Sequence, residues 1–192
     1  KFILCRSVDG GGLTDRVLQV LAQRRDRPLF LWVHYLDVHL PYTHTADPAV
    51  SAEARSALAG DFQSAIHALE GKPGLRDEVW AANQDEVRFV DAAIRRVLDT
   101  LGDAPARGRV VVLTADHGEE FFEHGGFEHG HTLFQEVIHI PLVVAGLPAA
   151  PGVVDAPVTL MDVTRTLLGA AGGQDAGMTG HDLAGVIAPD WP

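Results

Sequence analysis

The chain has 192 residues, of which 46% are hydrophobic and 21% charged: enough apolar content to bury a core, and too little bias for global disorder. Its formal net charge of -11 opposes binding to a nucleic-acid backbone, and no basic patch offsets it. A single cysteine, Cys5, excludes an intramolecular disulfide framework and a cysteine-based zinc site, and no stretch reaches the roughly 18 apolar residues of a membrane helix.

In chain order, residues 1–5 are a short apolar run that breaks at once into Arg6 and a glycine cluster, unlike a signal peptide. Starting with neither Met nor a leader, the chain reads as a fragment of a longer protein. Residues 10–12 lead into Thr14, a candidate N-cap, with Asp15 in the first turn. Val17, Leu18, Leu21 and Ala22 then recur at helical spacing until Arg24, Arg25 and Pro28 close the element. Residues 29–36, LFLWVHYL, are too few and too aromatic for a helix and predict a buried strand, which exits into Asp37, His39, Pro41 and Tyr42. Residues 43–76 carry little strand signal and predict a loop with one or two short helices. From 77 to 101 a helix is expected, with Val87, Val90, Ile94, Val97, Leu98 and Leu101 as its apolar stripe and Gly102 and Pro105 as its stop.

The informative stretch is 110–132, VVVLTADHGEEFFEHGGFEHGHT. Its first four residues are apolar on both alternating faces, which suits a strand covered on both sides in a parallel sheet. Strand, helix and strand in that order predict a right-handed parallel unit. Beyond the strand the chain opens into Asp116, His117, Glu119, Glu120, Glu123, His124, Glu128, His129 and His131, at the end of the sheet where open α/β folds bind ligands. A carboxylate beside an imidazole can hold a divalent cation. The alternative is that Asp116 caps a turn and the histidines are solvated loop residues.

Residues 133–138 predict one helical turn, 141–145 a short strand and 153–158 an extended edge segment. A helix starts at Thr159 or Asp162, runs through Val163, Thr166, Leu167 and Leu168, and stops at Gly172 and Gly173. Leu183, Val186 and Ile187 form one more turn. No internal repeat or domain boundary appears, so the expectation is a single domain over 1–192, α/β in class, with a mostly parallel sheet flanked by helices. Compartment stays open, since periplasmic, extracellular and cytoplasmic proteins all fit this composition.

Five stretches, FLWVHYLDVHLPY at 30–42, EVRFVDAAIRRVLDTL at 86–101, VVVLTADHGEEFFEHG at 110–125, HGHTLFQEVIHIPLVV at 129–144 and VTLMDVTRTLLGAAG at 158–172, stand in an order that resembles the later portion of the sulfatase catalytic domain, within the alkaline-phosphatase superfamily. The resemblance implies metal-dependent hydrolysis of sulfuric esters. It assigns Asp116 and His117 as ligands of the catalytic cation, with calcium first and manganese or zinc as alternatives. It places His39, from the H-x-P-Y motif, on the sulfate or the leaving-group oxygen, and puts His129 where many relatives carry a basic lysine. Both become catalytic and substrate-binding candidates, and His124 a substrate-side one. For His34, His44, His67, His139 and His181 a structural role is expected.

The substrate implied is a small-molecule or glycan sulfate ester, and the partner is an N-terminal portion of the same protein; oligomeric state is left open. Sulfatases carry a nucleophile in C-x-P-x-R and an early Asp-Asp metal pair, whereas Cys5 stands in CRSVD. The isolated fragment is therefore expected to be inactive. Two alternatives remain: a phosphodiesterase, phosphonate hydrolase or phosphoethanolamine/phosphoglycerol transferase of the same superfamily, and a catalytically silent binding or structural module.

Overall fold

Asp9 opens the first helix, α1 (Gly10–Ala22), by accepting the Gly12 N–H at 2.8 Å, so the helix starts before the expected cap at Thr14 and takes the glycine cluster into its first turn. Gly10 donates its own N–H to Asp37 Oδ1 at 2.8 Å, and a Cβ there would come within 2.9 Å of Asp37 Oδ2. Glycine is needed at that point because the backbone presses on the carboxylate that holds it. The structure is a computed structural model that describes residues 9–23, 28–60, 62–102, 108–148, 151–174 and 177–186. Cys5 and the apolar start, together with Arg24, Arg25, Pro105 and Ile187, lie outside the described residues.

The described residues fall into two compact units, Lys1–Gly102 with Glu119–Val137, and Asp103–Gly118 with Ile138–Pro192. The first is helical. Residues 43–76 hold the two expected short helices, α2 (Ala52–Leu58) and α3 (Phe62–Leu69), followed by a 3₁₀ turn at Pro73–Leu75. The long helix α4 (Arg76–Leu101) has Asp77 and Glu78 in its first turn, where they complement the helix dipole, and Gly102 beyond its end at φ 63°.

Its buried face runs Val79, Ala82, Asn83, Glu86, Val90 and Ala93, at steps of three and four. The expected stripe is thus displaced toward the N-terminus, leaving Val87 and Leu98 exposed. Two polar residues replace apolar ones because each has a partner: Asn83 donates to the Tyr42 hydroxyl at 3.1 Å, and Glu86 accepts from the His44 N–H at 2.6 Å. The core around them contains Leu40, Tyr42, Val50, Leu58, Leu69, Val79, Phe121 and Phe122. Complete burial of Leu58 and Leu69 contributes about 1.5–3 kcal/mol each relative to exposure.

Residues 29–36 are extended, but they form no strand among the described residues. Burial alternates from 32 to 39: Val33, Tyr35, Asp37 and His39 are partly covered, while Phe30 and Trp32 are 73% and 76% exposed. The expectation of a strand buried on both faces is therefore corrected to an extended segment covered on one. It is held by side chains such as Tyr35, whose hydroxyl lies 2.8 Å from Thr14 Oγ1, rather than by a ladder. Among the described residues no strand precedes α4, so the strand–helix–strand unit expected from the sequence is not seen there.

The second unit carries β1 (Val111–Thr114) and β4 (Leu142–Ala145), paired antiparallel with Val112 opposite Val144 and Leu113 opposite Val143. β2 (Glu120–Phe121) and β3 (Phe127–Glu128), in the first unit, also pair antiparallel. Among the described residues both strand pairs are antiparallel, where the sequence predicts a mostly parallel sheet. The physical reason lies in coverage. Val112, Leu142 and Val144 pack with Val163, Leu167 and Leu183, whereas Leu113 and Val143 on the other face are exposed. A one-sided ladder suits antiparallel pairing, and the apolar run at 110–113 does not distinguish the two cases.

The one-sided cover comes from α6 (Leu160–Ala170) and α7 (Leu183–Val186). Asp162 fixes the start of α6, its Oδ2 accepting the Thr159 N–H at 2.5 Å and the Thr159 hydroxyl at 2.9 Å. Oδ1 accepts the His181 N–H at 2.6 Å, which ties the α7 segment to the same carboxylate. The helical turn expected near 133–138 is α5 (Gln135–Ile138), and 153–158 forms no strand.

Candidate functional site

β2 and β3 form a tight hairpin that places polar side chains on a small apolar base. Phe121 and Phe127 are cross-strand partners, and the Phe122 and Phe127 rings stack at 5.3 Å. The turn closes through the Phe122 N–H to the Gly126 carbonyl at 2.8 Å. Phe122 and Glu128 sit at φ 63° and 78°, a region that costs a non-glycine residue of order 1 kcal/mol or more and is tolerated where the surroundings fix it. Glu120 and Glu128 stand opposite each other in register, and each is 1% exposed. Like charges facing across a ladder repel, so this hairpin needs positive charge or donors nearby.

Imidazoles supply part of that need. His129, just after β3, has Nδ1 2.9 Å from Glu119 Oε1 and 3.4 Å from Glu128 Oε2. His39 arrives from the end of the extended segment, its Nδ1 donating to the Leu40 carbonyl at 2.7 Å, which leaves the lone pair of the neutral ring on Nε2. The His39 and His129 rings meet edge to face, centroids 5.4 Å apart at 74°. His39, Glu128 and His129 each offer a ligand atom within 4.8 Å of the others, so the two histidines expected to act together do converge. Tyr42, the buried last residue of the H-x-P-Y segment, has its phenol pushed far up by desolvation and then by the negative field of Glu119, so it stays neutral.

His124 belongs elsewhere. Its Nδ1 lies 2.6 Å from Glu136 Oε1, its ring stacks on Phe134 at 3.7 Å, and with Glu120 and Glu136 it forms a second group whose ligand atoms lie within 4.8 Å. Glu120 accepts the backbone N–H groups of Gly126 at 2.8 Å and His124 at 3.2 Å. Desolvation pulls the Glu120 carboxyl upward, but those two donors and the His131 ring outweigh it and hold it below the usual carboxylate range.

In the other unit, Asp116 and His117 follow the end of β1 at Thr114, one residue on. Asp116 Oδ1 accepts the His117 N–H at 3.1 Å and stands 3.8 Å from His117 Nε2, while His117 Nδ1 donates to the Gly118 carbonyl at 2.9 Å. The tautomer so fixed carries its lone pair on Nε2, beside the carboxylate. One oxygen and one nitrogen at this spacing fit two positions around a single divalent cation. Asp116 also shows the capping contact of the alternative reading, and the two roles are compatible because they use different lone pairs.

Sequence reasoning left Glu119 and Glu128 without roles, although both stood in the polar stretch. The signal for Glu119 is its place two residues after His117, whereas nothing in the sequence marks Glu128 as buried. His44 contacts buried Glu86 at 2.5 Å, His67 lies on the surface 3.9 Å from Glu70, and His181 lies 3.4 Å from Asp162.

The sulfatase family model matches residues 9–173. A sulfatase of Formosa agariphila is 35% identical over 113 residues, covering 52% of this chain and 22% of that protein. Arylsulfatase K of Danio rerio is 35% identical over 101 residues, covering 51% and 19%. Steryl-sulfatase of Mus musculus is 28% identical over 207 aligned residues, covering 96% and 29%. The chain thus spans between about a fifth and three tenths of these relatives' length. No solved structure matches the chain.

Proposed function

The chain belongs to the sulfatase family, and from that premise we propose that it forms part of the catalytic domain of a metal-dependent enzyme hydrolysing sulfuric esters, small-molecule or glycan. The observation that carries the reading is the convergence of His39 and His129, two residues far apart in sequence whose rings lie 5.4 Å apart. A pair of imidazoles can donate hydrogen bonds to a sulfuryl oxygen, and one of them can pass a proton to the leaving alkoxide.

The Glu119 carboxylate keeps a proton on His129 Nδ1 and favours the cationic ring as negative charge develops on the ester. His39, held by the Leu40 carbonyl, presents Nε2 as the atom that accepts or releases a proton. Asp116 and His117 would hold the cation, calcium by the family's precedent with manganese and zinc as alternatives. When bound, such an ion supplies Lewis-acid polarisation of a sulfuryl oxygen.

The test is an assay of the whole protein on an aryl sulfate and an aryl phosphodiester, with calcium, manganese or zinc supplied in turn. Metal-dependent turnover of the sulfate, lost in His39→Ala and His129→Ala, is expected. Preference for the phosphodiester would move the protein to the phosphohydrolase side of the superfamily. No turnover of either would favour a silent binding module.

A further inference from the structure

We propose that Glu120, His124, His131 and Glu136 form a binding site for a zinc-class divalent cation that staples the β2–β3 hairpin to α5. The inference does not use the sulfatase reading, and the site shares no residue with Asp116 and His117.

The geometry begins with Glu120, His124 and Glu136, whose ligand atoms lie within 4.8 Å of one another. His131 stands beside this group through Glu120. Its Nδ1 lies 3.3 Å from the His129 carbonyl, which can only accept, so that nitrogen carries a proton and, in the neutral ring, Nε2 carries the lone pair. That lone pair stands 3.4 Å from Glu120 Oε2. Two acceptors therefore face each other at about the separation of two ligands on a tetrahedral ion with bonds of roughly 2.0–2.1 Å.

The carboxylate points the same way. Glu120 is 1% exposed, and while Oε1 takes two backbone N–H groups, Oε2 has only the His131 ring beside it, at 3.4 Å. When that ring is neutral with its proton on Nδ1, Oε2 is a buried carboxylate oxygen without a donor, and a cation bridging it to His131 removes that cost. The backbone leaves room for nothing bulkier: a Cβ on Gly126 would come 2.8 Å from His131 Nε2 and 2.9 Å from both Glu120 oxygens.

Charge supports it as well, because the carboxylates of Glu120 and Glu136 stand together here with His124 and His131 beside them. Two imidazoles and two carboxylates select zinc over calcium. His124 then serves the ion rather than the ester.

The test uses the whole protein in an Asp116→Ala, His117→Ala background, which removes the cation site of the proposed active centre. After chelator treatment, zinc alone is titrated by calorimetry, and cobalt is added to a second sample for visible absorption. The expected result is one equivalent of zinc, an intense cobalt band of the tetrahedral type, and a loss of zinc affinity of about 100-fold or more in Glu136→Gln and in His131→Gln. Both substitutions fall on partly exposed side chains, and circular dichroism checks that the variants fold. Zinc binding that is absent from the background, or unchanged by both substitutions, overturns the proposal and leaves a protonated His131 paired with Glu120.

Discussion

His129 Nδ1 lies 2.9 Å from Glu119 Oε1, so a carboxylate two residues beyond the Asp116-His117 pair in sequence sets the tautomer of an imidazole ten residues further on. Positioning of this kind acts through the ring rather than on the ester. In the whole protein, Glu119→Gln is expected to lower turnover of an aryl sulfate about 10–100-fold. His129→Ala is expected to lower it about 10²–10³-fold, the usual loss for one contact to developing charge. The double variant should fall no further than His129→Ala, because groups acting as one unit do not add. Independent, multiplicative losses would break the link between the two residues.

Asp116 and His117 offer a different readout. If they hold the catalytic cation, Asp116→Ala and His117→Ala should each raise the calcium or manganese concentration needed for half-maximal turnover at least about 10-fold. A metal titration of turnover measures this. An unchanged midpoint in both variants would leave Asp116 with only its capping contact to the His117 N–H.

Helices were legible where spacing and stop signals coincide. In α4, acidic residues at the start and Gly102 at the end bound a periodic run, yet the buried stripe moved because Asn83 and Glu86 found partners in Tyr42 and His44, which no periodicity reveals. Strands were less legible. The apolar runs at 29–36 and 110–113 look alike in sequence, but pairing is a property of a neighbour: one forms the ladder with β4, and the other stays extended on the side-chain contacts of Tyr35 and Asp37. At the site, no spacing in the sequence announces that the His39 and His129 rings lie 5.4 Å apart; only the family resemblance linked the two residues. The burial of Glu128 at φ 78° depends on a hairpin too short to announce itself in sequence.

Glu86 gives a stability prediction. Its side chain is fully buried and accepts both the His44 N–H at 2.6 Å and His44 Nδ1 at 2.5 Å. Glu86→Ala leaves the His44 backbone donor unmatched and a void between α4 and His44, an expected loss of about 2–3 kcal/mol. Chemical denaturation followed by circular dichroism measures it. Glu86→Gln keeps an acceptor and should lose less; equal losses in both variants would assign the effect to charge rather than to the acceptor.

Asp162 gives the pH dependence. Desolvation pulls its carboxyl upward, but the N–H groups of His181 and Thr159, the Thr159 hydroxyl and the nearby His181 ring outweigh it and hold it below its ordinary value of 3.8. A carboxyl depressed in the folded state binds protons less readily there than in the unfolded chain. Its contribution is therefore complete above the ordinary value and is lost as pH falls through the lower folded one. Asp162→Asn keeps one acceptor oxygen and removes the charge. At pH 7 the variant is expected to be less stable by about 1–2 kcal/mol, since a charged cap and a tie to the α7 segment are both weakened. As pH falls below the ordinary value the two proteins should converge progressively, because the unfolded chain takes up its proton there first and the folded carboxyl only at its lower value. Urea midpoints at pH 7 and pH 3, compared between wild type and variant, measure the convergence. A stability difference of the same size at both pH values would mean that hydrogen-bond geometry, and not the ionised state of Asp162, holds the start of α6 and the segment leading into α7.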